Sequence, residues 1–542
     1  MKRLAAVLFT VALFFAPMRG ATPAALRQAL DRFTSSKALE GASVGFAAVT
    51  LGGDTLALLN GGTRMVPASN VKVITCGAAL RTLGTDYRFK TELAYSGRIA
   101  DGILHGDLYI IGGGDPTTGS KYEGLSPADS LFALWKGMLD KAGIRAIDGT
   151  VIGDTRERNG SAAIAAPDSS VFAPALSDEG RVAPRDWGAE DMGFYYGAVP
   201  GALNFFGNAL NISVAPGEAV GTPIKCRVDY PEAPWMVFSS SAVTGQRGTG
   251  DRLRYDAPAE APFGRFSGSY AIDRRERIEE CVNRFPEYTL AWYFHNYLQN
   301  NGIRVSNAFA EVSPSGRVRR DPLVYDDGEA AVEVSSLTLL GETFSPQLSD
   351  IAAIALQKSD NFLTEAILKA LGRESGSGSS TDSSLVALRK ILSGIDSPSG
   401  GKLPTDHVIQ LRDGSGLSRT NYVSPVWYTD FLRAMAYEPC FNTYWACFPR
   451  PGEGTLIGRM QNAGFNVRRR VYMKSGSMNG IRCFTGYIFP ESWSAYKAAA
   501  QAPGTEPDSK IIVFSLMINN ATSTQSELCA ATDSLLITLA TL

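Results

Sequence analysis

Apolar and polar positions change rhythm several times along this chain. After Lys2 and Arg3 comes an apolar run, Leu4 to Phe15. It is too short to span a bilayer and suits the central region of a secretory signal peptide, with cleavage near Gly20 or Ala21. An uncleaved membrane-anchoring helix is the other reading of the same run. From Pro67 to Gly84 the pattern predicts a buried helix opening at Ser69, with Val71, Val73, Ile74, Ala78, Ala79, Leu80 and Leu83 inside and Gly84 as its stop. From about 90 to 330 short β-like runs alternate with Gly- and Pro-rich turns, which predicts mixed or β-rich inserted structure.

Helical spacing returns from Ser349 to Leu371, and the segment Gly372 to Ser384 reads as a flexible surface loop. Near the C-terminus, Arg470 to Met473 leads into Lys474-Ser475-Gly476-Ser477. Asn479-Gly480 then signals a hairpin before the strand-like Ile481 to Phe489. Lys510 to Ile518 is a further strand, and Glu527 to Leu542 a terminal helix. This order places Lys474 to Ser477 on an inner strand of an antiparallel sheet with helices on its faces.

Composition narrows the function by exclusion. The 542 residues carry 20% charged and 44% apolar side chains and a net charge of −2, ordinary globular usage that gives no reason to expect nucleic acid. No later stretch has the length and apolarity of a membrane span. Seven cysteines without C-x-x-C spacing imply neither a disulfide framework nor a metal site, and no cofactor is called for. Cys440 and Cys447 are close enough in sequence either to bridge after export or to stay free. His105, His295 and His407 are the only histidines, and no G-x-S-x-G or H-E-x-x-H segment accompanies them, so a Ser-His-Asp triad is not supported. Gly112-Gly113-Gly114-Asp115-Pro116 lacks nucleotide-loop spacing and reads as a turn.

Three short clusters carry the chemistry: Ser69-Asn70-Val71-Lys72, Ser359-Asp360-Asn361 and Lys474-Ser475-Gly476-Ser477. Their order, S-x-x-K, S-D-N, K-[ST]-G, is that of serine acyl-transferases that bind penicillin. A serine hydroxyl is a weak nucleophile until a base takes its proton. Lys72, three residues on and on the same helix face, can be that base if burial and nearby cations lower its pKa. Ser359 is placed to relay a proton to the leaving amine and Asn361 to hold a substrate amide. Lys474 and Ser475 offer a cation and a hydroxyl to a terminal carboxylate, and Gly476 lets substrate backbone lie close. The backbone N–H groups of Ser69 and Ser477 supply the oxyanion hole.

These residues resemble the D-alanyl-D-alanine carboxypeptidases of the penicillin-binding protein 4 type, the low-molecular-mass class C group. Leu104-His105-Gly106-Asp107-Leu108-Tyr109 leading to Gly112 to Pro116, Asp413-Gly414-Ser415-Gly416-Leu417-Ser418-Arg419, and Gly454-Thr455-Leu456 are similar to further blocks of that family. The resemblance implies an α+β, penicillin-recognising serine transpeptidase (β-lactamase-like) fold, split by a long insertion between the first two clusters. It gives a signal peptide at 1–20, a discontinuous catalytic part at 21–90 and 335–542, and an inserted region at 91–334 made of two subdomains. It also implies peptidoglycan stem peptides as substrate, β-lactams as covalent inhibitors and an exported, periplasmic location. The third cluster departs from the family's commoner Lys-Thr-Gly-Thr, and Cys76 lies one turn past Lys72. The favoured activity is a serine DD-carboxypeptidase, with DD-endopeptidase action open. The alternatives are a β-lactamase, for which no E-x-x-L-N block is present, and a non-catalytic cell-wall binding protein.

Overall fold

The computed structural model describes residues 22–156, 182–258, 262–312, 316–321, 323, 329–490 and 507–542. The signal segment read at 1–20 lies outside them. The two ends of the chain build one five-stranded antiparallel sheet, ordered Thr55–Leu59, Ser43–Thr50, Ile512–Asn519, Ile481–Ile488, Val471–Met478. Alternation assigns its faces. Ile512, Phe514, Leu516 and Ile518 join Phe484 and Ile488 under the helices Ala24–Thr34 and Gln525–Ala540. Val513 and Met517 join Cys483 and Tyr487 under the helices Val71–Leu83 and Pro425–Met435. With both faces covered, every residue of Ile512–Asn519 is buried.

The helix Val71–Leu83 is apolar all round, as its sequence predicts, because it runs through this second core. Gly77 lets it approach its neighbours: a Cβ there would stand 3.0 Å from the Phe431 ring and 3.1 Å from that of Tyr444. Phe431 in turn stacks on Trp427 at 5.5 Å.

The hairpin at Asn479-Gly480 forms as read, Met478 pairing with Ile481. The strand it leads from, however, is the edge of the sheet and not an inner strand. The turn before Val71 packs on one face of this strand: a Cβ on Gly476 would lie 2.5 Å from the Pro67 carbonyl oxygen.

Two further readings are corrected. The helical stretch after Ser349 is two helices, Leu348–Lys358 and Asn361–Glu374, broken where Ser359 turns left-handed (φ 58°) and Asp360 caps the second through the Leu363 N–H. The loop expected at Gly372 to Ser384 shrinks to 375–380, because helix continues through Gly372 and resumes at Thr381–Ser393. Gly372 serves close packing there: a Cβ would meet the Gly378 carbonyl at 2.3 Å. Cys440 and Cys447, at either end of the helix Phe441–Ala446, are both free.

The insertion leaves and rejoins through adjacent strands, Lys90–Tyr95 and Thr338–Phe344, paired antiparallel. The strand Thr338–Phe344 carries this sheet past residue 334, and the helix Leu348–Lys358 follows it. These strands belong to a six-stranded mixed sheet against which the helix Pro286–Asn300 packs. Smaller sheets form around Ala209–Ala215 and Phe263–Ala271, so the mixed, β-rich character agrees with the reading. Among the described residues, no helix is long and apolar enough to cross a membrane.

Because Phe431 ties the Val71–Leu83 helix to the sheet, Phe431→Ala should destabilise the protein by about 3–5 kcal/mol. Thermal unfolding of the two proteins measures it, and an unchanged midpoint would mean the contact is dispensable.

Candidate active site

Ser69 occupies a 3₁₀ turn, Ala68–Asn70, at the mouth of the Val71–Leu83 helix and is partly exposed. Ala68 adopts φ 48°, a left-handed conformation an L-residue seldom takes. Two neighbours hold it there. A Cβ on Gly416 would lie 1.9 Å from the Ala68 carbonyl oxygen, and one on Gly476 3.2 Å from the Ala68 Cβ. Asn70 pins the turn to the sheet by donating from Nδ2 to Thr485 Oγ1 (2.8 Å), which faces this side by strand alternation.

Lys72 is fully buried. Its Nζ lies 3.1 Å from Ser69 Oγ, 2.6 Å from Asn361 Oδ1 and 2.6 Å from the Ser415 carbonyl. A neutral amine keeps two N–H donors. Asn361 and Ser415 accept them, which leaves the lone pair for the Ser69 hydroxyl. Loss of hydration pushes the Lys72 pKa down to about 8 against the opposing pull of Asp413, Glu365 and Asp360. Desolvation, and not a neighbouring cation, thus makes the amine available, with the carboxylates moderating it.

Lys474 is equally buried and joins the second and third clusters. It donates to Ser359 Oγ (2.8 Å) and to the Ser475 carbonyl (2.5 Å). Desolvation, then Lys72 and Arg482, hold its pKa well below the ordinary lysine value. Ser475 Oγ meets Thr455 Oγ1 at 3.0 Å, tying the Gly454-Thr455-Leu456 block to the strand, while Ser477 is exposed at its end. Ser69 and Ser477, the residues read as oxyanion donors, sit on the turn and the edge strand that Gly476 allows to touch.

Asn361 lies between Lys72 and the inserted region. Its Oδ1 receives Lys72 and its Nδ2 donates to the Tyr196 carbonyl (2.8 Å), so both ends of the amide are engaged within the protein. The side chain orients the lysine; a substrate amide would have to displace one of these partners.

Several groups at the site had no sequence signal, because their contacts join distant segments. Tyr122 Oη donates to Asp360 Oδ2 (2.7 Å) and Trp187 Nε1 to Asp413 Oδ2 (2.9 Å), both from the insertion. Asp413 also accepts the N–H groups of Gly416 and Ser418 and the Asn421 amide, which explains the tight course of the Asp413 to Arg419 block. The histidines lie elsewhere: His105 beside Asp148, His295 against Phe309, and His407 with its carbonyl bonded to Arg64. Among the described residues no group of His, Cys, Asp and Glu could hold a metal ion.

Three clusters meeting around one serine, with these blocks supporting them, are matched by a known family over residues 26–539, the D-Ala-D-Ala carboxypeptidase 3 (S13) family. The chain belongs to that family. It is 29% identical over 509 residues to a D-alanyl-D-alanine carboxypeptidase of Actinomadura sp. (strain R39), covering 90% of this chain and 84% of that protein. It is 25% identical over 462 residues to the carboxypeptidase DacB of Haemophilus influenzae, covering 84% of each. The crystal structure of penicillin-binding protein 4 (dacB) from H. influenzae superposes with a TM-score of 0.69 at 22% identity, over 94% of this chain and 98% of that one. The fold is therefore the α+β, penicillin-recognising fold of that protein, as read from the S13 family's motifs in the sequence.

Three outcomes test the geometry. Lys72→Arg keeps the charge but cannot deprotonate near neutrality, so acylation should fall by about 10²–10⁴-fold in a folded protein. In the parent the acylation rate should climb as pH rises through about 8, where the ammonium loses its proton, and level off above it. Stopped-flow acylation across pH reads both; a rate flat through that range would rule out Lys72. Lys474→Ala should slow every substrate through displacement of Ser359, and a peptide with a free C-terminus more than its amide. Equal losses on acid and amide would contradict carboxylate recognition at Lys474.

Proposed function

We propose that this S13-family enzyme is an exported serine D-Ala-D-Ala carboxypeptidase that works on peptidoglycan stem peptides through an acyl-enzyme at Ser69. The observation that carries the assignment is the buried Lys72 amine, 3.1 Å from Ser69 Oγ with two fixed acceptors for its hydrogens. Lys72 takes the hydroxyl proton as Ser69 Oγ bonds to the carbonyl carbon of the penultimate D-alanine. Negative charge gathers on the carbonyl oxygen, where the N–H groups of Ser69 and Ser477 receive it. The peptide C–N bond then breaks, and the leaving amine takes the proton that Lys72 removed from Ser69, relayed through the hydroxyl of Ser359, whose oxygen is held by Lys474. Water later attacks the ester and returns Ser69. The terminal carboxylate is received by the field of Lys474 and by Ser475 and Ser477, while Asn361 keeps Lys72 in line.

A β-lactam ring is opened by the same first step, but its amine remains tethered beside the ester. A crystal structure of the H. influenzae penicillin-binding protein 4 is a complex with a novel β-lactam, which supports the same susceptibility here. The apolar run at Leu4 to Phe15 and the location of the substrate support export to the periplasm.

Turnover should separate the two substrates. A peptide ending in D-Ala-D-Ala should release D-alanine steadily, while benzylpenicillin leaves an adduct on the Ser69 peptide that lasts minutes or more. Mass spectrometry of digests from parent and Ser69→Ala reads the adduct, and digestion of purified peptidoglycan distinguishes terminal D-alanine from cleaved cross-links. Rapid clearance of penicillin without D-alanine release would make the protein a β-lactamase. Folded protein that does neither would make it a binder.

A further inference from the structure

Lys72 is not the sole ionisable group attached to Ser415. Glu365 lies in the helix Asn361–Glu374, one turn beyond the second cluster, and only 2% of it is exposed. Its carboxylate accepts the Gly414 N–H (3.0 and 3.1 Å) and the Ser415 N–H (2.7 Å). The carbonyl of the same Ser415 accepts Lys72 at 2.6 Å. Thr75, three residues past Lys72, donates to the Gly414 carbonyl (2.7 Å). Two residues of backbone, Gly414 and Ser415, are thus gripped on one side by the nucleophile helix and on the other by the helix of the second cluster.

A neutral amide could accept an N–H here, so hydrogen bonding alone does not call for a carboxylate. Burying one is costly unless a positive charge answers it. The charged and titratable groups that act on Lys72 are the carboxylates of Asp413, Glu365 and Asp360 and the Cys76 thiol, which burial keeps protonated by pushing its pKa up to about 12. Glu365 favours the charged form of Lys72, which it reaches through the Ser415 peptide, while Lys369, one turn further along its helix, donates to the Pro200 carbonyl.

We propose that Glu365 is a positioning residue that sets the charge state of the Lys72 base, acting through Ser415. The inference rests on Lys72 being the base. Desolvation and then Asp413 raise the Glu365 pKa to about 7, opposed by the N–H groups it accepts. An ionised Glu365 favours the ammonium and restrains the base; a protonated one releases the amine.

The test is the pH profile of acylation by benzylpenicillin in the parent, Glu365→Gln and Glu365→Asp. Glutamine removes the charge and can still accept one N–H, so the midpoint of the acid limb should move to lower pH by about one unit. Aspartate keeps the charge but does not reach both N–H groups, so the plateau should fall with the midpoint near that of the parent. A parental midpoint in Glu365→Gln overturns the proposal, as does a shift of equal size in both variants, which marks a structural disturbance. Acylation surviving in Lys72→Arg would instead refute the base assignment, a separable result. Should Glu365→Gln fail to fold, the unmodified protein labelled with carboxyl-¹³C glutamate is read by infrared difference spectroscopy, which sets glutamates apart from aspartates such as Asp115. A protonated glutamic acid band that vanishes between about pH 6 and 8 supports the proposal. Absence of any such band overturns it.

Discussion

The removal of one lysine from water is the constraint on which this structure turns. An ammonium loses several kcal/mol of effective hydration on burial, on the order given for ions in protein interiors. The fold spends structure on managing that loss. The helix Val71–Leu83 is apolar on every side to keep water away from Lys72. A carbonyl and an amide oxygen are fixed to take its hydrogens, and carboxylates stand near enough to hold the pKa close to neutrality. With fewer carboxylates the amine would be free at lower pH but a weaker base; with more it would stay protonated when needed.

The second lysine obeys the same logic with the opposite surroundings. Lys474 is also buried, and desolvation lowers its pKa with the neighbouring cations Lys72 and Arg482 adding to the effect, where carboxylates oppose it at Lys72. Two buried amines are each joined to a serine hydroxyl, Lys72 to Ser69 and Lys474 to Ser359, an arrangement that suits the proposed transfer of a proton from the first and to the leaving group through the second. Neither step asks for histidine. This is the physical content of the order S-x-x-K, S-D-N, K-S-G: each cluster brings a hydroxyl, and the lysines of the first and third connect them.

Much of this was legible in the sequence, and the reasons are local. Ser69 and Lys72 are one helical turn apart, so their proximity follows from helix geometry. Asn479-Gly480 fixes a hairpin register within two residues. The motifs also placed the chain in its family and gave the fold. What was not legible depended on sheet order and long-range contact. The third cluster reads as inner because the order of strands along the chain cannot tell an edge strand from a central one, and in the sheet its strand is the edge. Gly372 and its serines read as a loop because composition cannot distinguish a glycine needed for flexibility from one needed for close packing. The bond from Asn361 to the Tyr196 carbonyl had no local signal because Tyr196 is supplied by the insertion, whose path no local pattern reveals.

The insertion begins and ends on adjacent paired strands, and that arrangement has an asymmetric consequence for modularity. Joining two neighbouring strand ends closes almost no loop, so adding or exchanging the inserted region at this point disturbs the host sheet little. Removal is another matter. Tyr122, Tyr196 and Trp187 supply partners to Asp360, Asn361 and Asp413, and without them these buried polar groups lose hydrogen bonds beside the reacting serine. A region that is easy to graft has become hard to excise, and swapping it between relatives would transfer part of the catalytic environment along with it.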